Sequence, residues 1–211
     1  MAEADVVYVH GLWLTGRESL VLRRRLERDF GFKVHPFRYR TVSATMSDVT
    51  ERLAAFVREL NPATLHLVGH SLGGLVIYRF LEQFPQQAPG RVVFLGTPAV
   101  ASRAVANMAR LRWAMPLVGK CVAEELLTHR ERRWVMPREL GIIAGTRRMG
   151  LGQFIARFDE DSDGSISVSE TRLPGATDHV TLPVSHMGML LSAKTAQETG
   201  TFLKYGRFSL K

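Results

Sequence analysis

The sequence has a single cysteine, Cys121, among its 211 residues. One cysteine forms no internal disulfide and has no second cysteine with which to hold a metal ion, which excludes a disulfide-stapled secreted domain and a cysteine-based zinc site. This usage is typical of a reducing compartment. Cys121 itself is expected to be a small buried packing residue.

Long apolar runs are also missing. No window approaches the roughly 18 uninterrupted apolar residues of a membrane-spanning helix, because arginine and lysine interrupt each long hydrophobic stretch. The first residues, Met1 to Asp5, have neither the basic start nor the apolar stretch of a secretory signal. We therefore expect a cytoplasmic protein that is at most peripheral to the inner face of the membrane.

Acidic residues are outnumbered by basic ones, so the chain has a net charge of +8. Such a charge permits attraction to nucleic acid, anionic lipid or acidic substrates. The basic clusters at Arg23–Arg25, Arg130–Arg133 and Arg147–Arg148 lack the interleaved aromatic residues of single-strand binders. We interpret them as solvated faces and expect no nucleic-acid partner.

The rest of the composition is that of an ordinary globular protein, 45% hydrophobic, which is most simply one domain over residues 1–211. Runs rich in β-branched and aromatic residues predict strands at Val6–Val9, Lys33–Tyr39, Thr64–Val68, Arg91–Leu95, Leu140–Ala144 and His179–Val184. Helical periodicity predicts helices at Glu18–Phe30, Met46–Leu60, Leu72–Phe84 and Lys194–Tyr205. This alternation indicates an α/β fold with a mostly parallel sheet of about six strands, helices on both faces and ligands at the carboxyl ends of the strands. Residues 97–137 break the alternation and predict a helical, lid-like excursion over the site.

The most informative segment is Gly69-His70-Ser71-Leu72-Gly73, between a predicted strand and a predicted helix. It has the G-x-S-x-G pattern of a nucleophile elbow in the required strand–turn–helix context. Small flanking residues let backbone approach the serine closely, and the helix that follows directs N–H groups at developing negative charge. We predict Ser71 as a nucleophile and the Leu72 N–H as an oxyanion donor. The His10-Gly11 turn after the first strand predicts the Leu12 N–H as the second donor.

A serine hydroxyl needs a base, and seven histidines compete for that role. His186 is predicted because it lies between the last strand and the last helix, where the chain order Ser, acid, His places the base. His66 and His179 are expected to be structural, and the side chain of His70 is expected to point elsewhere.

Six carboxylates lie in the stretch where that order requires the acid: Asp159, Glu160, Asp161, Asp163, Glu170 and Asp178. Asp163 is preferred because Asp163-Gly164 is a turn sequence before an extended run, which would hold a carboxylate rigidly beside a loop histidine. Its predicted role is to orient the imidazole and stabilise its charged form.

Together these residues resemble the α/β-hydrolase superfamily, and within it the small, cap-poor bacterial esterases and lipases. The matching features are His10-Gly11-Leu12, the Gly69–Gly73 elbow, Gly96-Thr97-Pro98 with Ser102, Asp163-Gly164 and His186. The resemblance implies cleavage of carboxylic esters through an acyl-enzyme without a cofactor. It also implies that the sheet lacks the first two strands of the full eight-stranded fold. The chain departs from the lipase pattern at Ala99-Val-Ala-Ser102, where a His and a Gly often precede the Ser.

Asp163 also belongs to a second motif, which would give its carboxylate a different role. Residues Asp159–Glu170 fit the D-x-D-x-D-G-x₅-E pattern of an EF-hand loop. In that interpretation a calcium ion would be surrounded by Asp159, Asp161, Asp163, Ser165 and Glu170. Pro174-Gly175 interrupts the second flanking helix and no second hand is present, so no metal is expected, and calcium binding stays the less favoured alternative.

The expected substrate is a small acyl ester. Apolar residues beside the oxyanion turn, in the excursion and next to the base are candidates for an acyl groove, although core packing is the simpler explanation for each: Trp13, Leu14, Met108, Leu111, Trp113, Met115 and Met187. Residues Ser102–Leu117 mix apolar side chains with arginines, which raises the hypothesis of peripheral contact with an anionic membrane. Thioesterase or acyltransferase activity of the same triad, and a non-catalytic hydrolase-like binding protein, remain alternatives.

Overall fold

The computed structural model describes residues 4–100, 119–121, 124, 132–149 and 160–210. This part of the chain contains a six-stranded sheet in which every pair of neighbouring strands is parallel. Its strands are β1 (Asp5–Val9), β2 (Lys33–Phe37), β3 (Leu65–His70), β4 (Val92–Leu95), β5 (Leu140–Gly145) and β6 (Asp178–Leu182). All six predicted strands are present, and the predicted α/β class is confirmed.

The α-helices whose bounds are described are α1 (Leu20–Phe30), α2 (Met46–Leu60), α3 (Leu72–Gln83), α4 (Val168–Thr171) and α5 (Ala193–Tyr205). The first predicted helix begins as a 3₁₀ turn at Arg17–Ser19 before α1. The start of α2 is fixed by a capping box, in which Thr45 Oγ1 accepts from the Asp48 N–H and the Asp48 carboxylate accepts from the Thr45 N–H.

The prediction of an extended run after Asp163-Gly164 is wrong beyond the first residues of that run. Ser162 and Ser167 form one antiparallel bridge, and the chain then turns into the single helical turn α4. The reason is a second capping box, because the Glu170 carboxylate accepts a 2.8 Å hydrogen bond from the Ser167 N–H.

Alternate residues of each strand enter two different cores, one on each face of the sheet. On β1, Val7 and Val9 pack with α2 and α3, whereas Val6 and Tyr8 pack with α1 and α5. Because both faces are covered, the strands are buried almost throughout and read as short apolar runs.

In the strand order β2-β1-β3-β4-β5-β6, β2 lies on one side of β1, and β3 to β6 lie on the other side. The chain leaves β1 toward one edge of the sheet and leaves β3 toward the other edge. The loops after these two strands therefore diverge and open a crevice at their carboxyl ends. Residues 10–13 follow β1 at this crevice, and Ser71 follows β3.

Most of the predicted excursion at 97–137 lies outside the described residues, as does the hypothetical membrane contact at Ser102–Leu117. In the ranges that are described, no helix is long and apolar enough to cross a membrane.

Candidate active site

Ser71 occupies the sharp turn between β3 and α3. Its backbone has φ 54° and ψ −122°, a conformation that residues other than glycine rarely adopt. The Ser71 N–H donates a 2.9 Å hydrogen bond to the carbonyl of Leu95, and the Ser71 carbonyl accepts from the Gly74 N–H at 3.1 Å. The strained turn is thus held by hydrogen bonds on both sides.

The glycines of the elbow are required for space. A Cβ atom added to Gly69 would lie 2.5 Å from the Cα of Gly74, and one added to Gly73 would overlap the carbonyl group of Val9. Helix α3 therefore packs directly on the backbone of β1 and β3, which brings its N-terminus to the crevice. This is the close approach that the G-x-S-x-G pattern predicts.

The turn after β1 lies against the serine. A Cβ atom added to Gly11 would lie 3.0 Å from the Cβ of Ser71. Within the described residues the Leu12 N–H, next in the chain, has no hydrogen-bond acceptor. The Leu72 N–H belongs to the first turn of α3, where backbone donors have no partner inside the helix. The two predicted donors, the Leu12 and Leu72 N–H groups, therefore lie in the two turns next to Ser71.

The turn after β1 (residues 10–13), which carries the predicted oxyanion donor Leu12, packs against a buried pair of rings. The rings of His10 and Tyr39 stack with their centres 4.4 Å apart. The His10 Nδ1–H donates to the Gly11 carbonyl at 3.0 Å, while Nε2 accepts from the Tyr39 N–H at 3.3 Å. Burial lowers the pKa of His10, which suits a neutral ring that both donates and accepts. The Tyr39 hydroxyl donates to the His10 carbonyl at 2.8 Å.

His186 and Asp163 form a close pair. His186 Nδ1 lies 2.6 Å from Asp163 Oδ2, and the His186 N–H donates to the Asp163 carbonyl at 2.9 Å. The other carboxylate oxygen accepts from the N–H groups of Ser165 and Ile166, both at 2.8 Å. Only 1% of the Asp163 side chain is exposed, against 13% for His186. Burial alone would lower the pKa of His186, but the charge and hydrogen bond of Asp163 outweigh burial and raise it.

Two contacts connect this pair to Ser71. Gly96 follows Leu95, the residue that accepts the Ser71 hydrogen bond, and a Cβ atom at Gly96 would lie 2.9 Å from Asp163 Oδ2 and 3.1 Å from His186 Nδ1. His70 precedes Ser71, and its Nε2–H donates to the His186 carbonyl at 3.1 Å with the two ring centres 4.7 Å apart. The structure therefore brings Ser71, His186 and Asp163 together at the carboxyl ends of the strands.

The expectation that the His70 side chain points elsewhere is wrong, because it contacts His186. Its pKa is lowered to about 3, mainly by burial and then by the charge of His186. His70 is thus a neutral ring that supports the backbone of the predicted base. His66 and His179 lie away from this contact, with His66 Nδ1 accepting from the Arg91 N–H and His179 Nε2 lying 2.9 Å from the Thr171 hydroxyl.

Two of the acidic residues in the EF-hand-like segment have partners within the protein. Asp163 is bonded to His186 and to two backbone N–H groups, and the Glu170 carboxylate caps α4 through the N–H and the hydroxyl of Ser167. Ser165 contributes its N–H and Asp161 its carbonyl to local turns. In the part of the chain that the structure describes, no cluster of three histidine, cysteine or acidic residues could hold a metal ion. Asp159 lies outside that part.

The described candidates for an acyl groove are not core residues. Trp13 is 54% exposed beside Leu12, and Met187 is 45% exposed beside His186. Leu14 is half-buried. The other candidates lie outside the described residues: Met108, Leu111, Trp113 and Met115.

The family follows from a match over most of the chain. The sequence model of the alpha/beta hydrolase family matches residues 6–195. The chain belongs to the alpha/beta hydrolase family. This agrees with the resemblance inferred from the elbow and the His-Gly turn, and with the parallel six-stranded sheet.

Several solved structures share the alpha/beta hydrolase fold. A lipase from Bacillus licheniformis, BlEst2 in its mature form, has a TM-score of 0.73 and 22% identity over 96% of this chain and 91% of its own. RedJ, a thioesterase of the prodiginine pathway of Streptomyces coelicolor, has a TM-score of 0.61 and 14% identity over 93% of this chain and 84% of its own. A metagenomic carboxyl esterase has a TM-score of 0.64 and 18% identity over 88% of this chain and 65% of its own. A sequence comparison with curated proteins gives no match.

Proposed function

We propose that this alpha/beta hydrolase is a serine hydrolase that cleaves carboxylic esters through an acyl-enzyme intermediate. The observation that carries the proposal is the 2.6 Å His186–Asp163 pair at the crevice where Ser71 sits in a strained turn. A strained serine beside a histidine that is itself oriented by a buried carboxylate is the arrangement of nucleophilic acyl transfer.

In the proposed first step, Ser71 Oγ attacks the carbonyl carbon of the ester. The His186 Nδ1–H donates a hydrogen bond to the Asp163 carboxylate. The unprotonated Nε2 is then the atom that takes the proton of the serine hydroxyl. Two backbone N–H groups and the imidazole donate hydrogen bonds to the Asp163 carboxylate. Its charge stabilises the imidazolium that forms.

The tetrahedral intermediate carries its negative charge on the former carbonyl oxygen. We assign the Leu12 and Leu72 N–H groups to this oxygen, because both flank Ser71 at the crevice. His186 then returns its proton to the leaving alcohol, and the acyl group stays on Ser71. A water molecule, deprotonated by His186, repeats the attack and releases the carboxylic acid.

An apolar acyl group suits the exposed side chains of Trp13, next to Leu12, and Met187, next to His186. The compared proteins are named as a lipase, a thioesterase and a carboxyl esterase, which supports acyl chemistry without choosing between ester and thioester. The same residues would cleave either bond, so esters and thioesters of matched chain length should be assayed side by side.

A fluorophosphonate probe tests the mechanism directly. The wild-type protein should be labelled at one site, Ser71→Ala should not be labelled, and His186→Asn should be labelled far more slowly. Ser185→Ala, a neighbouring hydroxyl on the base loop, is the matched control and should react at the wild-type rate. A folded wild-type protein that is not labelled would contradict the proposal and favour a non-catalytic, hydrolase-like binding protein.

A further inference from the structure

A cavity near the turn after β1 (residues 10–13) has no part in the proposed cleavage of the ester. It is an open cavity of about 430 Å³, here called the arginine cavity, lined by Thr15, Arg17, Arg38, Tyr39, Arg40 and Arg52. Four of its six lining residues are arginines and none is acidic. They come from three segments: the 3₁₀ turn before α1, the loop after β2, and helix α2.

The four guanidinium groups have no carboxylate partner within the described residues. The one hydrogen bond among them runs from Arg52 Nη2 to the carbonyl of Arg38 at 3.4 Å. Some described arginines elsewhere on the surface are paired with a carboxylate, as Arg28 is with Asp29 and Arg91 with Glu139. Like charges gathered from three segments repel one another, and an anion between them would relieve that repulsion.

The chemistry of the lining suits a phosphate group. A guanidinium group presents a rigid fork of N–H donors that matches two oxygens of a phosphate, and it stays charged at any physiological pH. Four arginine residues line this one concave space, and guanidinium groups suit a ligand with several anionic oxygens. The Thr15 residue adds a hydroxyl at the rim, and no apolar aliphatic side chain lines the cavity.

The arginine cavity is physically joined to the reacting atoms. Its buried floor, Tyr39, donates through its hydroxyl to the His10 carbonyl and stacks on the His10 ring. The next residue, Gly11, lies directly against Ser71. The positive charge of Arg38 also contributes to the lowered pKa of His10. An anion in the cavity would thus lie on the far side of Tyr39 and His10 from Ser71, next to the turn that contacts the serine.

We propose that the arginine cavity binds a phosphate group of the substrate, so that the enzyme prefers acyl esters that carry a phosphate. This inference rests on the proposed esterase function and specifies its substrate class. The phosphate belongs either to a soluble phosphate ester or to the headgroup of a lipid, and both present the same oxygens to the four arginines.

Two substrates that differ only in the phosphate provide the test. They are a short-chain monoacylglycerol and the same acyl chain on glycerol 3-phosphate, each below its aggregation concentration. We expect kcat/KM to be about 10-fold or more higher for the phosphate compound at low ionic strength, and the ratio to fall as salt screens the charges. The double variant Arg17→Gln, Arg40→Gln should lower this ratio about 10-fold, since each lost guanidinium removes a charge-assisted hydrogen bond.

The matched control is the double variant Arg24→Gln, Arg207→Gln, which removes the same charge from exposed positions outside the cavity. It should leave the ratio unchanged. If both double variants lower the ratio equally, the preference is a general effect of surface charge and the cavity proposal is wrong. If wild type cleaves the two substrates equally well, the cavity proposal is also wrong while the esterase function stands.

Two further measurements test phosphate binding without catalysis and distinguish the two sources of the phosphate group. Glycerol 3-phosphate should bind to the Ser71→Ala protein in a calorimetric titration and bind more weakly when Arg17 and Arg40 are also replaced; no binding would overturn the proposal independently of catalysis. Phospholipid in vesicles distinguishes the sources. Cleavage of the soluble phosphate ester alone indicates a soluble substrate, whereas cleavage of vesicle phospholipid, reduced by the cavity variant and not by the control, indicates a headgroup. Failure of fluorophosphonate labelling would instead remove the esterase function itself.

Discussion

At the scale of single residues, the pKa of His186 is set by two opposing effects. Burial lowers it, and the charge and hydrogen bond of Asp163 raise it by more. Only the neutral imidazole accepts the serine proton, so kcat/KM should rise with pH around a midpoint above the ordinary histidine pKa of about 6.5. In Asp163→Asn the charge is lost, so this midpoint should move to lower pH while kcat falls by about 10³-fold or more. A pH–rate profile with an ester substrate measures both quantities.

The matched control for that profile is Asp161→Asn, which removes a carboxylate from the same loop at an exposed position. It should leave both the midpoint and kcat near the wild-type values. An Asp163→Asn protein that retained wild-type activity would show that another carboxylate orients His186, and the assignment of the acid would then be wrong.

The sequence predicted the three residues of the candidate triad because each belongs to a local pattern or an order along the chain. Ser71 is in a five-residue motif, His186 follows the last strand, and Asp163 is in a turn sequence. The roles of His70 and Gly96 were missed for a different reason. Each depends on contacts between segments far apart in sequence, such as His70 with His186, and no spacing or periodicity encodes such a contact.

At the scale of elements, the position of α3 depends on backbone-to-backbone packing at the elbow. A Cβ atom at Gly73 would overlap the Val9 carbonyl in the neighbouring strand, and neither rigid element can yield easily. We therefore expect Gly73→Ala to lower the free energy of unfolding by about 3 kcal/mol or more. Urea unfolding followed by circular dichroism measures this loss.

The variant Gly31→Ala is the control for Gly73→Ala, because it introduces backbone strain without steric overlap. Gly31 ends α1 with φ 72°, and nothing lies within 4 Å of a Cβ atom added there. Its substitution should cost only about 1 kcal/mol, the penalty of placing alanine in a left-handed conformation. Equal losses for the two variants would mean that the packing of α3 on β1 is less tight than the structure indicates.

The six strands and the helices of eleven or more residues were predictable, whereas the four-residue helix α4 was not. Strands β1 to β6 are recognisable because both faces of the sheet are covered, which makes each strand a compact apolar run. Helix α4 is a single turn and is too short to show helical periodicity. Its one sequence signal is the capping box of Ser167 and Glu170, which lies inside the segment that also matched an EF-hand loop.

At the scale of the whole molecule, the parallel topology gathers the ends of four strands around one crevice. The turn after β1, the elbow after β3, Gly96 after β4 and the loop of His186 after β6 come from separate parts of the chain. Stability of the whole sheet is therefore a condition for the site. A buried histidine in β3 connects that stability to pH.

His66 is only 5% exposed, and its Nδ1 accepts a 2.9 Å hydrogen bond from the Arg91 N–H at the start of β4. Burial, followed by the charges of Arg91 and Arg138, lowers its pKa to about 4. A protonated ring cannot accept that hydrogen bond. Because the unfolded chain takes up the proton near pH 6.5 and the folded chain near pH 4, stability is full above pH 6.5 and is lost as pH falls toward 4. The loss attributable to His66 should be about 2 kcal/mol at pH 5 relative to pH 7.5, since one pH unit corresponds to about 1.4 kcal/mol.

His66→Asn isolates this contribution, because the amide oxygen of asparagine can replace Nδ1 as the acceptor but does not titrate in this range. Urea unfolding of both proteins at pH 7.5, 6 and 5 gives the comparison. The free energy of unfolding should fall more steeply with decreasing pH in wild type than in His66→Asn, whatever the other titrating groups contribute to both proteins. Parallel curves would mean that His66 takes up its proton in the folded state as easily as in the unfolded chain, and that its buried contact with Arg91 is not maintained in solution.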